Sequence, residues 1–590
     1  MKVIENQKDI YEGEAKIVEL QRKISELNEQ LEDGKKNIQT QVNQLKKEEE
    51  AKLALVLEAI QLNVIHKEQE LAEQSKVLQE TLELFHKTEN QLVELEDQKT
   101  VMENTITFLK QKIAVCQNLE FLSEKDINKY LHTLGDEPFS PGEQYLDFEQ
   151  DFQLDYSVLA THVQHFLYHK KNLIYTKFQI ENFLALLMTH DLIVLSGLSG
   201  SGKTQIVKAF AEALGGVAKI IPVKPNWTSS DDLLGYYNPL QSTFLPTPFT
   251  EAIVEAIQNP HQIYLICLDE MNLARVEYYF ADFLSKMEER SKQPEIDLYA
   301  KHEEELFIAE FKTLLTLIES ATGENAVTSW HDFLKNDSVR NRFFELIGNT
   351  EKESLLQIHS KMRRRLLDIL KFPATIKIPN NIRFIGAINV DETTHYFSPK
   401  ILDRIHMVKF ENPLLIEEEV VNRITQSGYD KELRPVYLRP EYLGERSELP
   451  SLDSNWLISK ELKPLNKEFL LPLSIDFGIR SMRQSINYAN QRIQKFSIGD
   501  DPFESIDCIT NSIINQKILP RFIFDGNEII PATGEKKIDC LERLATYLQK
   551  QLVFLDDKHD EYEIGQRSSD CLLRMIKSSE FNNGQINYYI

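Results

Sequence analysis

The chain has 590 residues and a formal net charge of −25, and 42% of its residues are hydrophobic. This length predicts roughly three to four domains. The negative charge argues against a surface that binds nucleic acid over its whole extent. The five cysteines are scattered and form no Cys-x-x-Cys pair, which argues against a disulfide framework and a structural zinc site. The chain shows no signal peptide and no apolar run of about 18 residues, so we expect a cytoplasmic protein without a membrane span.

Residues 1–134 are predicted to form a coiled-coil region. They are rich in Glu, Lys, Gln and Leu, and apolar residues recur at steps of three, four and seven. The first series consists of Ile17, Leu20, Ile24, Leu27 and Leu31. One long rod or two antiparallel helices would satisfy this pattern. Either self-association or an unidentified partner would cover the apolar seam, unless the helix is only a solvated spacer.

The remaining chain divides into three predicted parts. The boundaries are 135–174 for a linker with entry helices, 175–410 for an α/β core that carries a charged helical insertion at about 292–372, and 411–590 for a helical lid and C-terminal region. Apolar runs at 192–196, 263–268 and 382–388 are typical of buried parallel strands.

The segment 197–204 reads GLSGSGKT and matches the phosphate-loop pattern G-x-x-x-x-G-K-[ST] completely. An apolar run precedes it and an amphipathic helix pattern follows, so its backbone N–H groups and the helix N-terminus can hold phosphate oxygens. Lys203 is expected to neutralise the β- and γ-phosphates, and Thr204 to bind Mg²⁺. The predicted nucleotide-binding residues of the loop are Gly197, Ser199, Gly200, Ser201, Gly202, Lys203 and Thr204.

Two later strand ends supply the other polar groups that such a site needs. The run at 263–268 is followed by Asp269, expected to order Mg²⁺, and Glu270, expected to polarise the attacking water as general base. Asn389 follows the run at 382–388 and could position that water. Taken alone, the two acids would also suit a helix cap, and Asn389 a turn.

Three arginines are candidates for contact with the nucleotide. Arg404 follows a short predicted helix and could reach the nucleotide of a neighbouring subunit, where it would stabilise charge in the transition state. The alternative for Arg404 is a surface salt bridge with Asp403. Arg480 and Arg483 open a helix of the predicted lid, and we expect one of them to report the nucleotide state, although the sequence does not separate the two.

The order of these motifs is that of AAA+ proteins, and three longer stretches resemble the McrB-like branch, the motors of modification-dependent restriction and phage defence. The stretches are PNWTSSDDLLGYYNPL (225–240), LDEMNLARVEYYFADFLSKMEER (268–290) and IPNNIRFIGAINVDETTHYFSPKILDRI (378–405). The resemblance implies a parallel sheet flanked by helices, a C-terminal helical lid, and a ring, as a rule a hexamer. It also implies a partner of the McrC type that carries a nuclease, and a segment at 235–249 that faces the pore or this partner.

Two features depart from that branch. Its GTP-preferring members have Met-Asn-x-x-Asp where this chain has Ile388-Asn389-Val390-Asp391-Glu392, so the substrate is ATP or GTP, and the wider AAA+ family favours ATP. The N-terminal part that often reads modified DNA is replaced by the coiled coil. The basic cluster at 361–365 could contact nucleic acid, but a solvated helix face is the simpler interpretation.

The leading functional hypothesis is a restriction-type motor that acts on DNA, through its pore or its partner, together with a separate nuclease. The second hypothesis is a chaperone-like remodeller of proteins, similar to MoxR-type proteins. The third is an NTP-dependent scaffold that assembles through the coiled coil. The sequence shows no nuclease carboxylates of its own, so we do not expect the chain alone to cut DNA.

Overall fold

The computed structural model describes residues 18–28, 31–32, 34–36, 116–130, 142–290, 293–322, 329–347, 355–389, 395–410, 417–452, 457–496, 502–552 and 566–589. The chain consists of two compact units, Met1–Lys112 and Ile113–Ile590. In the first unit, residues 18–28 are helical, and the side chains of the predicted seam that are described there are exposed. Most of the predicted coiled coil, including Ile17, lies outside the described residues.

The second unit contains a five-stranded parallel sheet and four short two-stranded pairings. The strands are β1 (Leu146–Asp147), β2 (Leu192–Gly197), β3 (Val217–Pro222), β4 (Gly235–Asn238), β5 (Thr243–Pro246), β6 (Tyr264–Asp269), β7 (Glu295–Asp297), β8 (Thr375–Lys377), β9 (Ile382–Asn389), β10 (Ile405–Lys409), β11 (Val436–Tyr437), β12 (Ile523–Asp525) and β13 (Gln585–Asn587). The order in the main sheet is β10-β2-β9-β6-β3, and all neighbours are parallel. The three predicted apolar runs are the buried strands β2, β6 and β9, which confirms the predicted α/β fold class.

Helices flank this sheet and make up most of the remaining described chain. They are α1 (Glu124–Tyr130), α2 (Phe148–Phe152), α3 (Tyr156–Lys171), α4 (Lys177–Thr189), α5 (Lys203–Ala213), α6 (Ser230–Leu234), α7 (Pro248–Gln258), α8 (Val276–Tyr279), α9 (Ala281–Lys286), α10 (Lys301–Thr322), α11 (Trp330–Lys335), α12 (Asp337–Ile347), α13 (Leu355–Lys371), α14 (Pro399–Leu402), α15 (Glu417–Gln426), α16 (Leu457–Leu465), α17 (Ile479–Lys495), α18 (Pro502–Ile513), α19 (Lys537–Gln551) and α20 (Ser568–Phe581). Side-chain hydrogen bonds cap the N-termini of several of these helices. Thr176 and Gln179 form a capping box before α4, for example, which satisfies backbone donors that the first turn leaves open.

A helical insertion, α10 to α13, lies between β7 and β8, within the predicted range of about 292–372. β7 and β8 pair antiparallel at its base. The insertion has a hydrophobic core separate from that of the sheet, and residues 116–130 contribute to it. His359 stacks between Phe121 and Trp330, and burial lowers the pKa of its imidazole. Residues 116–130, which fall inside the predicted coiled-coil region, therefore pack on the insertion.

The β4–β5 hairpin packs against this insertion. The backbone N–H of Phe244 donates to Asp368 Oδ2 at 2.7 Å, and Tyr237 stacks on Tyr299 with ring centroids 5.0 Å apart. At the tip of the hairpin, the side chain of Leu240 is 96% exposed. One end of the hairpin is thus anchored, whereas its tip presents an apolar side chain to solvent.

The basic cluster at 361–365 does not form one open surface. Arg365 is buried, forms an ion pair with Glu310 at 2.6 Å, and lies over the ring of Phe307. Arg363 lies 3.7 Å from a carboxylate oxygen of Asp126. These contacts favour a role for the cluster within the insertion.

The chain after β10 is mostly helical, as expected for a lid followed by a C-terminal region. Two π-helical turns, Asn466–Leu470 and Ile514–Ile518, continue α16 and α18, and Leu519–Arg521 forms a 3₁₀ turn. Residues on α17, α18, α19 and α20 share the main hydrophobic core with the sheet. Among the described helices, none combines the length and apolar character that a membrane span needs.

Candidate active site

The register of the sheet brings the predicted site residues to one edge. β9 lies between β2 and β6, and Asn389 at its carboxyl end pairs with Gly197, where the phosphate loop begins. On its other side, β9 pairs with β6, which ends in Asp269 and is followed by Glu270. Three parallel strands thus deliver the loop, the two acids and Asn389 side by side.

Two glycines of the loop are required by its backbone. A Cβ atom on Gly197 would lie 2.5 Å from the carbonyl oxygen of Phe410, too close for any side chain. Gly202 has φ +82°, in the left-handed region that disfavours other residues. Gly202 directly precedes α5, so the loop leads into a helix N-terminus, whose first-turn N–H groups are donors for an anion.

Lys203 lies inside the loop and is 6% exposed. Its Nζ donates to the carbonyl oxygens of Gly197 at 3.0 Å and Leu198 at 2.7 Å, and to Ser201 Oγ at 3.3 Å. These neutral acceptors hold the ammonium group where the loop curves around it. A phosphate oxygen offers a charged acceptor, which makes a stronger hydrogen bond.

The two predicted magnesium ligands lie in contact. Thr204 Oγ1 donates to Asp269 Oδ1 at 2.8 Å. One hydroxyl and one carboxylate, with phosphate oxygens and water as the remaining ligands, suit the coordination that Mg²⁺ prefers. Thr204 and Asp269 would hold the ion, which when bound neutralises charge on the β- and γ-phosphates.

Glu270 and Asn389 also lie in contact, since Asn389 Nδ2 donates to Glu270 Oε1 at 3.2 Å. Glu270 has φ +54° and ψ +44°, a left-handed conformation that costs a residue with a side chain roughly 1–2 kcal/mol. Backbone strain of this kind is concentrated at functional sites, where it aims a side chain. Glu270 is therefore placed to polarise a water molecule, and Asn389 to orient it.

Asn272 is a site residue that the sequence reasoning missed. Its Nδ2 donates to the carbonyl oxygen of Asn389 at 2.9 Å, and the residue is 4% exposed. The hydrogen bond ties the segment after Glu270 to the end of β9. Its signal in the sequence was the Met-Asn pair that directly follows the two acids.

The predicted arginines lie at the opposite end of the sheet. Arg404 immediately precedes β10, whose first residue, Ile405, pairs with Leu192 at the start of β2. The loop begins at Gly197, five residue steps along β2, or about 17 Å at about 3.3 Å per residue. Arg404 and Lys203 are therefore not brought together within one chain.

Arg480 and Arg483 join Arg404 around a cavity of about 320 Å³, which Glu288 and Gln484 also line. Glu288 Oε1 lies 2.7 Å from Arg404 Nε, and its Oε2 lies 3.0 Å from Arg480 Nη2. The side chain of Arg483 instead donates to the backbone carbonyls of Leu449 and Pro450. Arg480 is thus the lid arginine that shares a partner with Arg404.

The salt bridge between Arg404 and Asp403, considered above as an alternative, is not formed among the described contacts. Arg404 pairs with Glu288, whereas Asp403 lies 3.5 Å from Arg480 and 3.3 Å from Arg521. No local pattern in the sequence marks Glu288, because its partners Arg404 and Arg480 follow it by more than a hundred residues.

The profile of the AAA domain (dynein-related subfamily) matches residues 192–405. The match runs from the first residue of β2 to the first residue of β10 and includes the loop, both acids, Asn389 and Arg404. The chain therefore carries an AAA domain and is a nucleoside triphosphatase.

Two further comparisons stand beside this family match. The chain is similar to the crystal structure of a candidate ATPase from Cytophaga hutchinsonii ATCC 33406, with 13% identity and a TM-score of 0.36. The alignment covers 69% of this chain and 99% of that chain. At this identity and score, the likeness adds nothing to the assignment. The search of curated proteins found no match.

The site supports hydrolysis by positioning and charge. The loop N–H groups and Lys203 would bind the β- and γ-phosphates, and Glu270 would accept a hydrogen bond, and then a proton, from the attacking water. Asn389 would fix the direction of that water relative to the terminal phosphate. The transition state of phosphoryl transfer carries negative charge on the equatorial oxygens, and one chain brings only Lys203 among the predicted cations to this edge.

Proposed function

We propose that this AAA+ protein assembles into a hexameric ring and is the motor subunit of a McrBC-like restriction or antiviral complex. One observation carries the ring: Arg404 and Arg480 lie together at the end of β2 opposite to the chain's own phosphate loop. Two halves of a phosphate site at opposite ends of one domain meet when copies of the domain stack head to tail. In such a ring, each interface has one nucleotide, held by one subunit and contacted by the arginines of the next.

The resemblance to the McrB-like branch supports the more specific part of the proposal. Glu288 lies in the stretch 268–290 and Arg404 in the stretch 378–405, so their ion pair joins two of the three stretches that carry the resemblance. The exposed Leu240 at the hairpin tip lies in the segment that this branch directs to its pore or partner. We propose a nuclease of the McrC type as that partner, contact with DNA through the pore or the partner, and ATP in preference to GTP.

Mixed assemblies test the ring. Glu270→Gln removes the general base, and Arg404→Ala removes the arginine, so each variant alone is expected to lose hydrolysis. Mixing the two creates interfaces at which a subunit with an intact Glu270 meets a subunit with an intact Arg404. We expect activity to return on mixing, measured as phosphate release with Mg²⁺ and ATP. If the mixture stays inactive while each variant still binds nucleotide and assembles with the other, the arginine does not act on a neighbour.

The restriction role needs its own experiment. Phosphate release would be measured with ATP or GTP for the protein alone, with duplex DNA, and with the product of an adjacent nuclease gene. We expect the nuclease and DNA to raise the rate and the complex to cleave DNA. Stimulation by an unfolded polypeptide, without any effect of DNA or nuclease, would instead assign the protein to MoxR-like remodelling. If Glu270→Gln kept full biological function, a scaffold would be the better description.

A further inference from the structure

The residues after 500, to which the sequence assigned no role, reach the arginine-bearing end of the sheet. Arg521 closes the 3₁₀ turn that follows α18, and its side chain is 5% exposed. Its Nε donates to the carbonyl oxygen of Lys517 at 2.8 Å, and its guanidinium lies 5.5 Å from the ring centroid of Phe477. The planar guanidinium is therefore a donor with a fixed direction.

Arg521 binds Asp403, the residue directly before Arg404. Arg521 Nη2 donates to Ser481 Oγ at 2.6 Å and to Asp403 Oδ1 at 3.3 Å, and Ser481 Oγ donates to the same carboxylate oxygen. The other oxygen of Asp403 accepts from Arg480 Nη1 at 3.5 Å. One carboxylate thus joins three segments that are distant in sequence: the loop that carries Arg404, the lid helix α17, and the C-terminal region.

The environment keeps this carboxylate charged. Burial raises the pKa of Asp403, but the hydrogen bond from Ser481 and the positive charge of Arg521 outweigh burial, so the pKa is lowered overall. Removal of Arg521 would leave the partly buried carboxylate of Asp403 with less compensation for its charge, which favours a shift of the loop toward solvent. Arg404 would move with that loop.

The second carboxylate, Glu288, lies beside Arg404 itself. Glu288 Oε1 lies 2.7 Å from Arg404 Nε, within ion-pair distance, although the two atoms do not form a hydrogen bond. Arg404 is held at its base by the Asp403 cluster and along its side chain by Glu288.

We propose that Arg521 and Asp403 are positioning residues, through which the C-terminal region holds Arg404 in the direction needed at the neighbour's nucleotide. The inference rests on the proposed action of Arg404 on a neighbouring subunit. A displacement of about 1 Å in a group that contacts the transition state can lower a rate by about a hundredfold. The C-terminal region then controls hydrolysis without contacting nucleotide.

Arg521→Gln tests this role in the full chain. We expect kcat for ATP hydrolysis to fall by about ten- to a hundredfold, with the dissociation constant of the nucleotide unchanged, because Lys203 and the loop are untouched. Arg521→Lys keeps the charge but lacks the planar guanidinium that binds Asp403 and Ser481 together. We therefore expect its kcat to lie between that of the native sequence and that of Arg521→Gln. Arg543→Gln, an exposed arginine of the same region bound to Glu535, is the matched control and should hydrolyse ATP normally.

Mixing experiments separate positioning from general damage. Arg521→Gln subunits keep an intact phosphate loop and Glu270, so adding Glu270→Gln subunits should restore hydrolysis. Adding Arg404→Ala subunits should not, because both partners are then defective at the arginine end. A subunit that Arg521→Gln had merely unfolded would gain from neither mixture, and Arg521→Lys then takes its place in the same experiment.

The possible failures are distinguishable. If Arg404→Ala hydrolyses ATP at the normal rate, the proposed action of Arg404 is wrong, and the positioning role of Arg521 and Asp403 is wrong as well. If Arg404→Ala is inactive but the folded Arg521 variants keep the normal kcat, only the inference is wrong. Restoration of Arg521→Gln by Arg404→Ala subunits would also overturn it, because the two residues would then act at different places.

Discussion

The two ends of the main sheet are built in different ways. At the carboxyl end, the site consists of residues at or directly after the ends of β2, β6 and β9, and short hydrogen bonds join their side chains, such as Thr204 with Asp269 at 2.8 Å. At the amino end, Asp191 is almost fully buried and binds Arg290, accepts from Gln484 at 2.8 Å, and lies 3.5 Å from His406. One end is a set of groups ready for a ligand, and the other is a buried network of charges.

This difference fits the proposed ring, in which one subunit binds nucleotide and also acts on another. Ligand-binding groups must be able to exchange their partners, as Lys203 can exchange the carbonyl oxygens of Gly197 and Leu198 for phosphate oxygens. Arginines that reach another subunit must keep a fixed direction without a ligand, which requires many contacts among buried groups. Removing one member of a buried ion pair typically costs about 3–5 kcal/mol, so such a network resists displacement.

The largest expected effect comes from Arg404→Ala. An arginine that stabilises the transition state from a neighbouring subunit contributes about 10³–10⁵ in kcat, so we expect a loss of at least about 10³-fold in assembled protein. The nucleotide's dissociation constant for the isolated subunit should not change, because the residue lies at the other end of β2. Steady-state hydrolysis and nucleotide titration measure the two quantities. Arg342→Ala, on the exposed surface of α12, is the control for loss of charge. Weaker nucleotide binding by the isolated Arg404→Ala subunit would contradict the separation of the two ends.

A smaller effect is expected from Asn272→Ala at the carboxyl end. The change removes the hydrogen bond to the carbonyl oxygen of Asn389, and a net loss of about 1 kcal/mol corresponds to roughly a fivefold to tenfold lower kcat. If Asn272 acts through Asn389, the double variant Asn272→Ala/Asn389→Ala should be hardly slower than Asn389→Ala alone. Full additivity of the two losses in hydrolysis would show that Asn272 has an independent role.

The sequence predicted the carboxyl end almost completely and the amino end only in part. The groups around Lys203 and Asp269 follow short contiguous motifs on apolar strands, and parallel strands necessarily bring their carboxyl ends to one edge. Arg404 was found because it follows those motifs at the expected place. The ion pairs of Arg404 with Glu288 and of Arg521 with Asp403 each join segments more than a hundred residues apart. No local sequence pattern marks such contacts.

The amino end should also give the stability of the protein a pH dependence, the smallest effect expected here. Lys517 is 1% exposed and donates to Gln484 Oε1 at 2.6 Å, close to the charges of Asp191, Arg521 and Asp403. Burial lowers its pKa from the usual value of 10.5 to about 7, although the charge of Asp191 raises it in part. Between these two values the unfolded chain binds more protons than the folded chain. Stability therefore increases with pH in this window, and the contribution is lost as the pH falls through about 7.

Lys517→Met removes this titration while keeping a long side chain in place. We expect the free energy of unfolding of the native sequence to rise by about 1 kcal/mol more than that of the variant between pH 6 and pH 8. Denaturant titrations at both pH values measure the difference, and Lys550→Met, at an exposed position on α19, serves as the control. Because Asp191 and the other neighbours of Lys517 remain in the variant, their own titrations largely cancel in the comparison. An equal change in both proteins would show that Lys517 keeps its proton throughout this range, and that the buried network compensates its charge more fully than its burial suggests.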